Sequence, residues 1–189
     1  AGYERAGGYQ ALRKALRDLA PADVTKMVSD SGLRGRGGAG FPTGQKWSFV
    51  PMGAAAPRPK YLVANADEME PGTFKDRLLM EGDPHLLVEG MILAAYAVQA
   101  DVAYVFMRGE YHLPARRVRQ AIGEAYARGY LGPDILGSGY RLEMHVHTSA
   151  GRYLCGEETA LLNALEGKRA IPRAKPPFPQ AAGLWGKPT

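Results

Sequence analysis

The sequence predicts an α/β domain, Rossmann-like, with a largely parallel sheet flanked by helices and an N-terminal helical lead-in. Three observations carry this. Apolar runs of strand type at 61–64 and 102–106 alternate with segments of helical spacing, the pattern of parallel strands joined by crossover helices. Hydrophobic residues make up 46% of the 189, enough to bury a core. The two loops with the most suggestive chemistry, 65–73 and 149–159, each follow a strand, which is where open α/β sheets bind their ligands.

The elements follow in order. Tyr9, Leu12, Leu16 and Leu19 recur at helical spacing with Arg13, Lys14, Arg17 and Asp18 between them, a short amphipathic helix. Pro21 suits a first helical position, and Val24, Met27 and Val28 give a second helix that stops before Gly32. These make residues 1–31 a helical lead-in to a domain spanning 32–189. A glycine-rich loop follows, then a Pro/Ala connector at 54–59 and the strand at 61–64. Asp83 caps a helix whose first residue is Pro84 and which runs to about Gln99. Beyond the strand at 102–106, a helix covers about 114–128 with Gly129 as its C′ residue. Tyr140, Leu142, Met144 and Val146 alternate with Arg141, Glu143, His145 and His147, a strand with one wet face. A helix over 156–166 is closed by Gly167, and Lys175-Pro-Pro-Phe-Pro179 is an extended, stiff tail.

The segment from Gly32 to Trp47 is the most informative. Gly32, Gly35, Gly37, Gly38, Gly40 and Gly44 crowd it, with Arg34, Arg36 and Lys46 nearby. Each glycine costs backbone entropy and buries no side chain, so core packing does not account for so many. Backbone N–H groups approaching an anionic ligand, normally a phosphate, do. No Gly-Lys-Ser/Thr closes a Walker A loop, and helices rather than a strand precede the glycines, so this is neither familiar nucleotide fingerprint. Phe41, Trp47 and Phe49 are able to stack on a flat ring, although Trp47 reads better as core. Asn65, Asp67, Glu68 and Glu70 form a dense acidic loop. It suits ribose or ribityl hydroxyls, a divalent cation, or plain solvation. Glu157 and Glu158 sit in the first turn of a helix, where they complement its dipole or address a sugar or amide. His145 and His147 share a strand face but lack a third ligand. His85 and His112 read as helix-flanking residues.

A net charge of +5 is spread over scattered basic residues with no nucleic-acid signature. The single cysteine, Cys155, makes no internal disulfide and by itself holds no zinc or iron–sulfur cluster. It reads as a small buried hydrophobe. The stretch 86–98 is broken by Glu89 and Gly90 and reads as a buried helix, not a membrane span. The first residues show no charged n-region followed by an apolar h-region, so no signal peptide is expected there, and no Ser–His–Asp spacing suggests hydrolysis.

Three segments together are similar to one family. Gly35-Arg-Gly-Gly-Ala-Gly-Phe-Pro-Thr-Gly44 with Lys46, Asn65-Ala-Asp-Glu-Met-Glu-Pro-Gly-Thr-Phe-Lys-Asp-Arg77, and Tyr153-Leu-Cys-Gly-Glu-Glu-Thr-Ala-Leu161 resemble the NADH-binding flavoprotein subunit of bacterial respiratory complex I. The segments 175–179 and 183–188 look like it too. The resemblance implies FMN as cofactor and NADH as substrate. It implies that Gly35, Gly37, Gly38 and Lys46 help hold FMN, that Asn65, Asp67 and Glu68 line the flavin and its ribityl chain, and that Tyr153, Gly156, Glu157 and Glu158 complete the pocket. On the NADH side it implies an adenine sandwiched by Phe41, Phe49 and Phe178, with Lys46 close by. Glu70 would take ribose hydroxyls and Glu158 would lie near the nicotinamide. The implied chemistry is hydride transfer from nicotinamide C4 to flavin N5, which the cofactor carries without a catalytic acid or base from the protein. Implied partners are the other peripheral-arm subunits, especially the thioredoxin-like 2Fe–2S subunit and the large iron–sulfur subunit, on the cytoplasmic side of the inner membrane without direct membrane contact. Family members continue past position 189 into a ubiquitin-like domain and a helical domain with a 4Fe–4S cluster, so the match implies an N-terminal part. A diaphorase subunit of an NAD-linked hydrogenase or formate dehydrogenase is the alternative within the family, and a non-catalytic nucleotide-binding fragment the alternative outside it.

Overall fold

Three parallel strands hold the centre of the molecule, β1 (Tyr61–Ala66), β2 (Val102–Met107) and β3 (Glu143–Thr148), in the order β1-β2-β3. The computed structural model describes residues 2–150 and 153–189. Register runs from Tyr61↔Val102↔Glu143 to Ala66↔Met107↔Thr148, so all three strands end at one edge. The strand period of two divides β2 between two cores. Ala103, Val105 and Met107 join a cluster with Val88, Ile92, Ala95, Val118 and Ala121 from α6 (Pro84–Val98) and α7 (His112–Ala127). Phe106 faces the other way, into a cluster with Leu161, Leu162 and Leu165 of α8 (Glu158–Leu165) and with Leu184. The α/β architecture with a parallel sheet flanked by helices is therefore as the sequence predicts.

The lead-in consists of α1 (Gly2–Arg5), α2 (Gln10–Asp18) and α3 (Pro21–Asp30). Tyr9 and Leu12 reach the main core, and the buried Glu89 of α6 takes the lead-in's donors: Tyr3 Oη at 2.6 Å, Tyr9 N at 2.7 Å and Leu12 N at 3.1 Å. His85, expected to be a plain flanking residue, instead bridges Tyr9 Oη at 2.9 Å and Glu124 at 3.2 Å. Asp83 caps α6 through Leu86 N at 3.4 Å, with Pro84 first in the helix. At the other end the buried Lys60 ammonium donates to Val98 O at 3.0 Å, completing carbonyls that the helix leaves unpaired. Gly129 follows α7 with φ 71°, as a C′ residue does.

Several details differ from expectation. Helices not foreseen include α4 (Thr43–Ser48) inside the glycine-rich segment and α5 (Lys75–Gly82) after the acidic loop. β1 extends two residues further, through Asn65 and Ala66. β3 starts at Glu143 rather than Tyr140, because Leu142 pairs antiparallel with Gly132. The helix expected over 156–166 divides into a 3-10 turn, Tyr153–Gly156, and α8. Near the C-terminus Pro179 opens α9 (Pro179–Ala182). Among the described residues no helix is long and apolar enough to cross a membrane.

Candidate functional site

The common C-terminal edge of the strands brings the predicted segments together. Arg108 N donates to Ala66 O at 3.2 Å and Ser149 N to Met107 O at 2.7 Å, so the ladder continues one step into the loops. There the acidic loop, the turn after β2 and the turn Tyr153–Gly156 meet the glycine-rich segment. Two cavities open side by side, of about 690 and 480 Å³. Asn65, Gly156 and Glu157 line both, and the Asn65 side-chain amide donates to Gly156 O at 3.2 Å between them.

The glycine-rich segment folds back on itself through Gly35 N to Phe41 O and Thr43 N to Leu33 O, both 2.9 Å. Its glycines divide by cause. Gly38 and Gly40 take φ of 106° and 63°, which favour glycine. Gly44 is a packing glycine, contrary to the sequence reading, since a Cβ there would lie 2.1 Å from Ser29 Oγ. Gly37 has neither reason: its φ is not left-handed and a Cβ would meet nothing within 4 Å. Gly37 and Gly38 line the larger cavity with Arg36, so space for a closely approaching ligand is what the glycine leaves.

The acidic loop holds three carboxylates in three states. Asp67 is 4% exposed; its Oδ1 accepts from Ser149 Oγ at 3.0 Å and its Oδ2 has no hydrogen-bond partner among the described residues. Burial raises its carboxyl above the ordinary range, and the Ser149 hydrogen bond offsets this only in part. Glu68 is buried and fully engaged, accepting from Asp76 N at 2.9 Å, Arg77 N at 3.1 Å and Tyr111 Oη at 3.1 Å. Glu70 accepts from the exposed Tyr153 hydroxyl at 2.5 Å, and that bond raises the tyrosine's pKa. All three line the larger cavity, as does Tyr153. Cys155 lies beneath, buried, its thiol pushed up by burial and then by the Asp67 charge.

The smaller cavity carries the ion pairs. Lys175 lies 2.5 Å from Glu158 and 3.4 Å from Glu157, and Lys46 lies 3.9 Å from Glu158. All four line it. Glu157 also caps α8, accepting from Thr159 N and Ala160 N at 2.9 Å. Burial raises its carboxyl, but the bonds from Thr159, Ala160 and Lys175 outweigh this and leave it lowered. Phe41 and Phe49 are half-exposed with ring centroids 6.3 Å apart. Phe178 is half-exposed as well, and no ring contact joins it to them among the described residues. Trp47 packs against the core, its expected role. His145 and His147 lie on β2 aromatics, Tyr104 at 5.4 Å and Phe106 at 5.2 Å, and burial lowers the His147 pKa. Among the described residues no group of three or more His, Cys, Asp or Glu could hold a metal ion.

Sequence reasoning missed Lys175, Ser149, Arg108 and Tyr111. The sequence places Lys175 in a stiff tail that looks like the family, but assigns its side chain no role. A clue to the others was their position just past β2 and β3, where ligand loops belong.

Residues 28–185 match the family model described as the Nuo51 FMN-binding domain, and the chain belongs to that family. It is 62% identical over 187 residues to an NADH-quinone oxidoreductase subunit of Rhizobium meliloti and 57% identical over 187 residues to one of Escherichia coli. Each match takes in 99% of this chain but only 44% and 42% of the relative, so the chain spans less than half the length of these curated relatives. Among solved structures it is similar to a chain of an NAD+-reducing [NiFe]-hydrogenase in the H2-reduced state. That match has a TM-score of 0.81 at 42% identity and covers 92% of this chain and 29% of that one.

Proposed function

We propose that this member of the Nuo51 FMN-binding family, through residues 32–189, binds FMN and NADH as part of an NADH:quinone oxidoreductase flavoprotein subunit. The observation that carries the reading is the buried Asp67 carboxylate, with one oxygen unpartnered at the wall of a cavity of about 690 Å³. Such an oxygen needs a donor, and a flavin offers a ring N–H. The side-chain-free backbone at Gly37 and Gly38 leaves room for a flat ring or phosphate. The donor set thus fits FMN, which when bound supplies the hydride acceptor.

The chain's own residues would bind and orient. Gly35, Gly37, Gly38 and Lys46 would hold the cofactor with Asn65, Asp67, Glu68, Tyr153, Gly156, Glu157 and Glu158. Phe41, Phe49 and Phe178 would grip the adenine of NADH beside Lys46. Glu70 would accept from ribose hydroxyls and disfavour the 2′-phosphate of NADPH by charge, and Glu158 would lie near the nicotinamide. Electrons would leave to iron–sulfur clusters, one a 4Fe–4S cluster in the part of the subunit beyond position 189. The remaining partners would be the thioredoxin-like 2Fe–2S subunit and the large iron–sulfur subunit, on the cytoplasmic side of the membrane.

Anaerobic titration of the FMN-loaded protein with NADH, followed by the flavin band near ~450 nm, tests this. Bleaching by NADH and not by NADPH is expected. A bound flavin that neither nucleotide bleaches would sink the catalytic part of the reading. The likeness to the hydrogenase chain favours a second reading, the diaphorase subunit of an NAD-linked hydrogenase or formate dehydrogenase. Isolation of the native complex would decide it, by a hydrogenase or formate dehydrogenase subunit in place of a quinone-reducing arm.

A further inference from the structure

Residue 68 is held by more donors than any other part of the acidic loop. Its side chain is 2% exposed. Oε1 takes the Asp76 N–H and lies 3.8 Å from the Lys75 ammonium, while Oε2 takes the Arg77 N–H and the Tyr111 hydroxyl. Its backbone carbonyl takes Arg108 Nη1 at 3.1 Å. α5 has no capping side chain of its own at Phe74. Glu68 therefore supplies, from eight residues upstream, the anion that a helix N-terminus needs. Tyr111 is itself pinned: it is 8% exposed, and the guanidiniums of Arg108 and Arg77 stand 5.5 and 5.8 Å from its ring centroid.

On either side of this anchored residue stand Asp67, with its unpartnered oxygen, and Glu70. Neither has comparable support. Asp67 is held by the Ser149 hydroxyl at 3.0 Å with the Cys155 thiol beside it, and Glu70 by the exposed Tyr153. Where the chain is fixed at 68 therefore sets where both neighbours present their carboxylates.

We infer that Tyr111 and Arg108 are positioning residues for the flavin site: they fix Glu68, by its carboxylate and its carbonyl, and through it the carboxylates of Asp67 and Glu70. The inference rests on the FMN reading above and gives Glu68, besides its place in the cavity wall, the part of an anchor for its neighbours.

The test compares Tyr111→Phe with Tyr140→Phe in the intact protein. Tyr140 also loses a hydroxyl hydrogen bond, to Ala100 O at 2.8 Å, but away from the site. Hydrogen exchange at the Asp76 and Arg77 amides is read without ligand, and FMN affinity by quenching of flavin fluorescence. Tyr111→Phe is expected to speed that exchange and weaken FMN binding, each roughly tenfold, the effect of one hydrogen bond to a charged group. Tyr140→Phe is expected to move neither, whatever it does to the melting temperature. Wild-type exchange and affinity in Tyr111→Phe, or equal changes in Tyr140→Phe, would overturn the inference. If Tyr111→Phe does not fold, Arg108→Lys takes its place, with the same directions at about threefold and the same overturning result. Failure of the wild-type protein to bind FMN would remove the FMN reading and the positioning role with it, while exchange alone still tells whether the anchor exists.

Discussion

Glu89 and Asp67 are both buried carboxylates with no cation within ion-pair distance among the described residues, and they sit in regions built to opposite ends. Glu89 lies where the lead-in docks on α6, and three donors from Tyr3, Tyr9 and Leu12 satisfy it. Asp67 lies where the strands end, and one of its oxygens is left without a partner. A buried acceptor without a donor costs about 1–3 kcal/mol. A fold tolerates that where something other than the fold supplies the donor. Burial alone does not distinguish a structural carboxylate from a site carboxylate; completeness of its hydrogen bonds does.

The largest effect expected from this contrast is at the satisfied site. Glu89→Ala leaves two backbone N–H groups and a tyrosine hydroxyl without their acceptor and removes the anion at the start of α2. A loss of about 3 kcal/mol is expected, read as a lower urea midpoint. FMN affinity of the folded fraction should stay at the wild-type value, because the lead-in junction lies outside both cavities. A large loss of flavin binding without loss of stability would break the comparison.

A smaller effect belongs to Glu166, which follows α8 behind the site. Burial raises its carboxyl, but Lys168 at 2.7 Å, Arg173 at 2.6 Å and Trp185 N at 2.8 Å lower it to about 2. A depressed carboxyl contributes stability above its unfolded value, here 4.5, and that stability is lost as pH falls through about 2. Glu166→Gln should cost about 1 kcal/mol at neutral pH, the size of a screened ion-pair cluster. Its stability should converge on the wild type in acid. An unchanged difference between neutral pH and pH about 2 would show that the carboxylate charge is not what holds the C-terminal turn.

How much of this was legible in the sequence follows the same division. The strand runs, the Asp83-Pro84 helix start and Gly129 at a helix end were readable because their causes are local. α5 was not. It follows a Pro-Gly turn, its first residues include no capping side chain, and its N-terminus is completed by Glu68 from across the loop. The positions flanking Lys75 where a cap is looked for do not include that residue. α4 was hidden by Gly44, which looked like part of a ligand loop and proved to be required by contact with Ser29. For the site, the glycine-rich and acidic segments were visible as chemistry out of place in a core. The ion pairs of Lys175 with Glu158 and Glu157 were not visible, because they join residues far apart in the chain across a fold that composition does not encode.

The smallest expected change in stability is the sharpest probe of the comparison. Asp67 has a raised carboxyl, so its sign is opposite to that of Glu166. Below its unfolded value of 3.8 both states are protonated and the group costs nothing. As pH rises from there through the raised folded value, the unfolded state ionises first and stability is lost. Ser149, Cys155, Glu110 and Arg108 are the groups that act on it, with burial the largest cause. Asp67→Asn removes this pH-dependent loss while keeping a partner for the Ser149 hydroxyl. The protein should be within about 1 kcal/mol of wild type at neutral pH, on the stable side. FMN binding should nonetheless fall roughly tenfold, as a charged acceptor facing the cavity is replaced by a neutral amide. Urea unfolding and a flavin titration on the same preparation measure both. A loss of several kcal/mol, like that at Glu89, would make Asp67 a second structural carboxylate, and the unpartnered oxygen would no longer mark a ligand site.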